Sequence, residues 1–323
     1  MKSMIRSFIR NLKRSIHRFF VIPSLKALKA LPNNGDVVLV DIGAAGEVEP
    51  RWKPFTNSLN YVGFEPDERT RKIIRNQSKY FKTYQILPHA LSNKFSRLKF
   101  NLCKKPQVSS LYQPNFPFLD KFPDPKRFEI EETVSVDCIP LDSIGLPRID
   151  FLKIDIQGAE NDVLKGATST LDSILGLELE VEFLELYKGQ PLFGDICKTL
   201  SEHNIEFMDF VSLARWERKT HNLHGQCIFG DALFLRSPET LMDKSLDVEK
   251  WSSYLAILII YRRFDLIEVV LDLLPTNMKN NFHEFQALFE KLKKRERLLK
   301  RIHTYLNGCF SILGDCYRLH LIR

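Results

Sequence analysis

The sequence has no C-x-x-C pair, no G-x-G-x-x-G loop, no apolar run of membrane-spanning length and no acid among its first 35 residues. Each absence removes a class of function. The six cysteines (Cys103, Cys138, Cys197, Cys227, Cys309 and Cys316) stand singly, whereas structural zinc needs paired, closely spaced ligands. No cleavable secretory signal is visible, so free thiols in a reducing cytoplasm are expected. The longest apolar stretch, Tyr254–Tyr261, falls well short of the about 18 residues of a spanning helix. Without the full glycine loop, a dinucleotide pyrophosphate lacks its usual cradle.

The missing acid makes the amino-terminal arm basic. Residues 1–35 hold eight Lys or Arg, leaving 39 of the chain's 47 against 40 Asp and Glu in the remainder. The net charge of +7 is therefore a property of the arm. A neutral body argues against a nucleic-acid partner, which would need many phosphate contacts. Ile5, Phe8, Ile9, Leu12, Ile16 and Phe19 fall near one helical stripe, so the arm reads as a basic amphipathic helix. Residues 1–31 could then lie on the inner face of an anionic membrane. The plainer reading is a helix packed on its own domain or on a second subunit.

What is present is an alternation of apolar, β-prone runs and helical periods over 323 residues that are 44% apolar and 27% charged. Strands are expected over Val37–Asp41, Tyr61–Glu65, Thr83–Leu87, Ile149–Asp155, Ile174–Phe183, Phe207–Val211 and Cys227–Arg236. Helices are expected over Asp67–Tyr80, Ala159–Leu171 and Phe193–His203. This order implies an α/β doubly wound, mostly parallel sheet covered on both faces. Three segments are expected: the arm 1–35, a sheet domain 36–237 with a Pro- and aromatic-rich insert at 91–140, and a helical extension 238–323. An insert of this length is often a lid or substrate loop.

Three strands deliver a carboxylate to a turn: VVLVDIGAAG at Asp41, YVGFEPDE at Glu65 and FLKIDIQGAE at Asp155. Ligands of open α/β sheets bind at that carboxyl edge, where strand order reverses. Gly43, Ala44 and Gly46 form the first turn; Glu65, with Pro66 behind it, stands 22 residues after Gly43, a spacing suited to bonding ribose hydroxyls. Two such acids without a phosphate loop point to an adenosine ligand lacking phosphate, and S-adenosylmethionine fits. In LELEVEF the apolar residues and the acids alternate, which leaves Glu178, Glu180 and Glu182 on one face of a strand. Glu182, nearest the carboxyl edge, is the expected site residue; Glu178 and Glu180 read as a solvent-facing or salt-bridged row.

These segments together resemble the FkbM-family methyltransferases. The matching pieces are VDIGAAGEVEPRW, YVGFEPDE, PHALSN, SSLYQPN, PLDSIGLPRIDFLKIDIQGAENDVLKGA, LEVEFLELYKGQPLF and GDALFLR, within Val37–Arg236. The resemblance implies a class I methyltransferase (Rossmann-like) fold of seven strands with an antiparallel last strand. It implies methyl transfer from S-adenosylmethionine, usually to an oxygen of a sugar, glycolipid or natural product. By position, it implies that Asp41, Gly43 and Glu65 bind the cofactor, that His89 and Ala90 lie near the adenine, and that Asp155, Glu160 and Glu182 face the transfer site. Ala45 stands where many members have Asn, leaving contact there to the backbone. Ser109, Ser110 and Asn115 are candidates for acceptor contact, although Ser and Asn also favour turns. Asp155 is the expected base. A divalent ion such as Mg²⁺ on Asp155, Glu160 and Glu182 is the alternative, but metal-type spacing is lacking and no metal is expected. An NAD(P)-dependent oxidoreductase would share the ribose acid but needs the absent phosphate loop. A non-catalytic, membrane-docked module is the remaining reading.

Overall fold

The structure is a computed structural model that describes residues 21–219 and 224–311. The stripe from Ile5 to Phe19 lies outside the described residues. After helix α1 (21–29), the elements are β1 (Val37–Ile42), β2 (Leu59–Phe64), α2 (Glu68–Ile74), β3 (Thr83–Leu87), β4 (Ala90–Leu91), β5 (Ser96–Cys103), α3 (Phe116–Leu119) and β6 (Ile130–Ile139). Then come β7 (Phe151–Ile154), α4 (Glu160–Lys165), α5 (Thr168–Ser173), β8 (Gly176–Glu182), α6 (Phe193–Ser201), β9 (Glu206–Phe210), β10 (Ala214–Trp216), β11 (Gln226–Leu235) and α7 (Pro238–Met242). Helices α8 (Val248–Ile260), α9 (Phe264–Leu273), α10 (Thr276–Lys279) and α11 (His283–Ser311) complete the chain. Two compact units form: residues 37–48 with 59–240, and, among the described residues, 21–36 with 49–58 and 241–311.

The first unit is built on one sheet of order β10-β11-β8-β7-β1-β2-β3, with β9 also on β11. Strands β1, β2, β3, β7 and β8 run parallel; β11 runs antiparallel to β8. The expected strand count of seven becomes eight, because β9 and β10 share the edge beside β11. A parallel strand covered on both faces reads as a continuous apolar run. That is why VVLVDI and FLKI are strands: all four residues of β7 are buried, and Val40, Ile42, Leu152 and Ile154 join one core. The chain winds from β1 through β2 to β3 and returns to β7 on the other flank of β1. The order therefore reverses between β1 and β7, at Asp41 and Asp155.

Two expected elements differ. The helix over Ala159–Leu171 is two helices, broken at Gly166, because a Cβ there would stand 2.2 Å from the carbonyl oxygen of Ser92. Glycine admits that backbone approach and favours a break in the helix. The helix over Asp67–Tyr80 is α-helical only to Ile74 and continues as a 3-10 turn over Arg75–Tyr80. The insert is not an unstructured loop: β4, β6 and β5 form a separate three-stranded sheet, and Leu119, Phe122 and Phe128 join Leu186, Tyr187 and Ile228 in a small core. Its aromatics thus fill a satellite core.

In the second unit α8 is buried from Trp251 through Ile260. Its two serines are satisfied by main chain: Ser252 Oγ donates to Pro32 O at 2.6 Å and Ser253 Oγ to Asp36 O at 2.5 Å. Trp52 Nε1 donates to Tyr261 Oη at 3.2 Å. Residues 21–36 thus belong with the carboxyl-terminal helices, a long-range grouping no local pattern announces. No helix among the described residues is long and apolar enough to cross a membrane. The described cysteines, Cys103, Cys138, Cys197 and Cys227, are free thiols.

Candidate active site

The β1 side of the reversal point is made by Asp41 and the turn that follows it. Asp41 is buried, and Tyr61 Oη donates to its Oδ2 at 2.7 Å. Tyr61 is held by stacking on Tyr84, 5.1 Å between centroids at 8°. Asp41 Oδ1 is buried with no hydrogen-bond partner. Burial raises the pKa of Asp41, while Lys153 and the Tyr61 hydroxyl act the other way. The N–H groups of Gly43 and Ala44 both donate to Phe64 O, at 3.1 and 3.0 Å, and that of Ala45 donates to Gly43 O. These amides are spent inside the protein, so the turn offers a ligand its surface rather than its N–H groups. Gly46 is exposed, and its carbonyl accepts from Gln77 Nε2 at 3.3 Å.

Glu65 lies just past β2 and is only 6% exposed. Its Oε1 accepts from Asp67 N–H at 2.7 Å, its carbonyl accepts from Arg71 at 2.8 Å, and its own N–H donates to Leu87 O. Burial raises its pKa, against the Asp67 N–H. Pro66 is exposed. His89 and Ala90, both half-buried, follow Leu87 directly on the link from β3 to β4. Asp41, Glu65 and the 88–90 link therefore stand at the carboxyl ends of three adjacent parallel strands.

On the β7 side, Asp155 is held at both oxygens: Lys153 Nζ lies 3.2 Å from Oδ2, and Gln157 Nε2 donates to Oδ1 at 3.0 Å. Its side chain stays 34% exposed. Glu160 is committed differently. Its Oε1 accepts from Ile156 N–H and Gly158 N–H, and its Oε2 from Gly158 N–H at 2.9 Å, so it ties the turn after β7 to the start of α4. Burial, then neighbouring Glu182, raise its pKa well above the ordinary range.

Strand β8 corrects one expectation. Glu178 is 1% and Glu182 2% exposed, and Glu180 is half-buried. Glu178 is therefore not solvent-facing, as one of the two expectations for it had it. Lys153 is the register partner of Glu178, and Asp231 on β11 that of Glu180. Burial and then Asp155 push the Glu180 pKa well up. Glu182 is pushed up to about 7 by burial, offset by neighbouring Gln190 and reinforced by Asp155. Glu182 Oε1 and Gln190 Nε2 are both buried without a partner of normal geometry.

The three insert residues make their bonds within the protein. Ser109 Oγ accepts from Cys103 N–H at 3.0 Å; Ser110 Oγ donates to Gln157 O at 2.6 Å; Asn115 Nδ2 donates to Glu185 O at 2.9 Å. Ser110 is fully buried, and Tyr112 Oη donates to Asp162 at 3.0 Å. The 108–112 strip is thus pinned to the turn after β7. Sequence reasoning missed Lys153, Gln157, Tyr61 and Gln190. Lys153 had a signal, a lone cation in a strand that is otherwise apolar. Among the described residues no three His, Cys, Asp or Glu side chains are grouped as a metal site would need. A cavity of about 390 Å³ lined by Cys197, Asn204, Phe207 and Thr240 belongs to the opposite, amino end of the strands.

A doubly wound, mostly parallel sheet with β11 antiparallel to β8 is the class I methyltransferase architecture. The chain belongs to the FkbM methyltransferase family: the sequence model of the Methyltransferase FkbM domain matches residues 41–207. It is 25% identical over 202 residues to the 2-O-methyltransferase NoeI of Sinorhizobium fredii, covering 59% of this chain and 80% of that protein. The crystal structure of Methyltransferase FkbM from Methylobacillus flagellatus KT superposes with a TM-score of 0.38 at 14% identity, over 62% of this chain and 44% of that one. Magnesium protoporphyrin IX methyltransferase (ChlM) from Synechocystis PCC 6803 gives 0.34 at 9% identity, over 62% and 71%. The residues present fit the cofactor: Asp41 Oδ1 is a buried acceptor in want of a donor, and Glu65 is a nearly buried carboxylate just past the end of β2.

Proposed function

We propose that this protein methylates a hydroxyl oxygen of a sugar-type acceptor, a free glycan or a glycolipid, with Asp155 as the base. The carrying observation is that Asp155 stands at the reversal point, restrained at both oxygens by Lys153 and Gln157 and still one-third open. The NoeI relative is a 2-O-methyltransferase, which supports an oxygen acceptor. Glu65 would take the ribose hydroxyls, and Asp41, with His89 and Ala90 beyond, would complete the nucleoside side. When bound, S-adenosylmethionine supplies a methyl group made electrophilic by its sulfonium.

Asp155 would accept the proton that the acceptor's hydroxyl gives up on being methylated. Catalysis would then rest on holding that oxygen beside a fixed acceptor of its proton. The Lys153 ammonium, 3.2 Å from Oδ2, fixes that oxygen of Asp155. Glu160, bonded to the Ile156 and Gly158 N–H groups, supports the turn. Glu182 is buried beside it and sets the charge of the surroundings. The test is transfer of label from tritiated S-adenosylmethionine to a panel of glycosides and glycolipids, with the methylated atom located by mass spectrometry. Label on hydroxyl oxygen that is lost in Asp155→Asn supports the reading. Label on nitrogen or carbon, or full activity of Asp155→Asn, refutes it.

A further inference from the structure

Gln157 is a non-glycine residue in left-handed backbone conformation, φ +61°. Such a conformation is costly for an L side chain and persists where the surroundings hold it, commonly at functional sites. What holds Gln157 is a set of contacts on every polar atom of the side chain and on its carbonyl. Nε2 gives one hydrogen to Asp155 Oδ1 at 3.0 Å and the other to Glu180 Oε1 at 2.9 Å. Oε1 lies 3.3 Å from Tyr187 Oη, whose hydroxyl also reaches Val108 O at 2.9 Å. The main-chain carbonyl accepts from Ser110 Oγ at 2.6 Å. The two carboxylate neighbours fix the amide's orientation, since the reversed amide would set its oxygen against both.

We propose that Gln157 is a positioning residue that locks the Asp155 carboxylate in its proton-accepting orientation and registers the 108–112 wall of the insert against it. The inference rests on the reading of Asp155 as base. Lys153, itself buried, restrains one oxygen of Asp155. The Gln157 amide restrains the other from a turn that has few alternatives. The same amide separates Asp155 from Glu180, so two carboxylates share a donor rather than face each other. Because Ser110 and Tyr187 engage the same residue, a shift of the insert is felt at the base. The acceptor's oxygen would then meet a base and a wall whose spacing is set by a single side chain.

The experiment uses the full chain and the variants Gln157→Gly and Gln157→Glu. Glycine relieves the backbone cost while removing the amide; glutamate keeps the shape and replaces both donors with an acceptor. Tritiated S-adenosylmethionine is the donor, and the glycoside or glycolipid best labelled by the wild type is the acceptor. Gln157→Gly is expected to keep its Tm or raise it, and to hold S-adenosylhomocysteine within about threefold while kcat falls about 100-fold, the order that a misplacement of about 1 Å produces. Gln157→Glu is expected to lose kcat at least as far, with the acceptor KM little changed. A fall in kcat under tenfold in Gln157→Gly overturns the inference, as does a joint loss of Tm and cofactor affinity, which would mark a structural role. A wild type that labels no acceptor overturns the functional reading itself, and this inference with it. An active wild type with an equally active variant overturns this inference alone.

Discussion

Gly43 and Asp155 approach so closely that a Cβ on residue 43 would stand 2.0 Å from the Asp155 carbonyl oxygen. The backbone at Gly43 is also left-handed, φ +87°. The turn after β1 and the end of β7 are thus in backbone contact at the point where the sheet reverses. Any side chain at 43 must displace one of them. Gly43→Ala is expected to cost at least about 2 kcal/mol in urea unfolding, from the clash and the backbone conformation together. Gly46, in the same turn, has open space around its Cβ position. Gly46→Ala is expected within about 0.5 kcal/mol of wild type. Equal effects at the two positions would show that the turn, not the contact with Asp155, is what matters.

Glu65 should bind and not merely support. One oxygen is occupied by Asp67 N–H, and Glu65→Gln preserves that acceptor while removing the charge. A hydrogen bond to a charged group contributes about 1.5–3 kcal/mol. S-adenosylhomocysteine affinity is therefore expected to fall about tenfold or more by calorimetry, with little change in Tm. Unchanged affinity would remove Glu65 from the cofactor site.

The parallel strands were the legible part of this molecule, and the reason is physical. A strand buried on both faces writes its burial into a local apolar run, so Val37–Asp41 matches β1 to within one residue; Thr83–Leu87 matches β3 although that edge strand has no buried residue. Ala214–Trp216 wrote nothing comparable, because β10 exists through pairing with β11. The alternation of LELEVEF marked a special face but not its burial, which depends on Lys153 and Asp231 arriving from β7 and β11. In the site, Asp155 and Glu65 were visible as acids ending strands. Gln157 was not, because its meaning lies in Ser110, Glu180 and Tyr187, all distant along the chain.

Glu182 makes stability depend on pH in a stated direction. In the unfolded chain its carboxyl titrates near 4.5; in the fold burial, offset by Gln190 and helped by Asp155, moves it to about 7. Between those values the folded chain holds a proton that the unfolded chain has released. Stability from this group is therefore complete below the lower value and is lost as pH rises through the upper one. The full effect is about 3 kcal/mol at most. Glu182→Gln should flatten the fall in denaturant midpoint between pH 5 and 8 and leave the variant more stable than wild type at pH 8. Some slope should remain, because Glu160 and Glu180 are shifted in the same direction. A variant with the wild-type slope would place the titrating group elsewhere.

Arg236 gives the most severe expected loss outside the site. It is 1% exposed, and burial lowers its pKa, yet it ends the apolar run of β11. Its guanidinium donates to Ile174 O at 2.9 Å, to His203 O at 2.6 Å and to Leu171 O. Leu171 and Ile174 close α5 and His203 follows α6, so one side chain fastens the end of β11 to two other chain segments. Arg236→Leu matches the apolar surroundings but leaves those acceptors in want of a donor, at about 1–3 kcal/mol for each buried group left unsatisfied. A total loss of at least about 3 kcal/mol in urea unfolding is expected, with Arg236→Lys recovering only part of it, since an ammonium lacks the planar fork that reaches all three. A loss below about 1 kcal/mol in Arg236→Leu would mean that water reaches those carbonyls and that the fastening is not the arginine's.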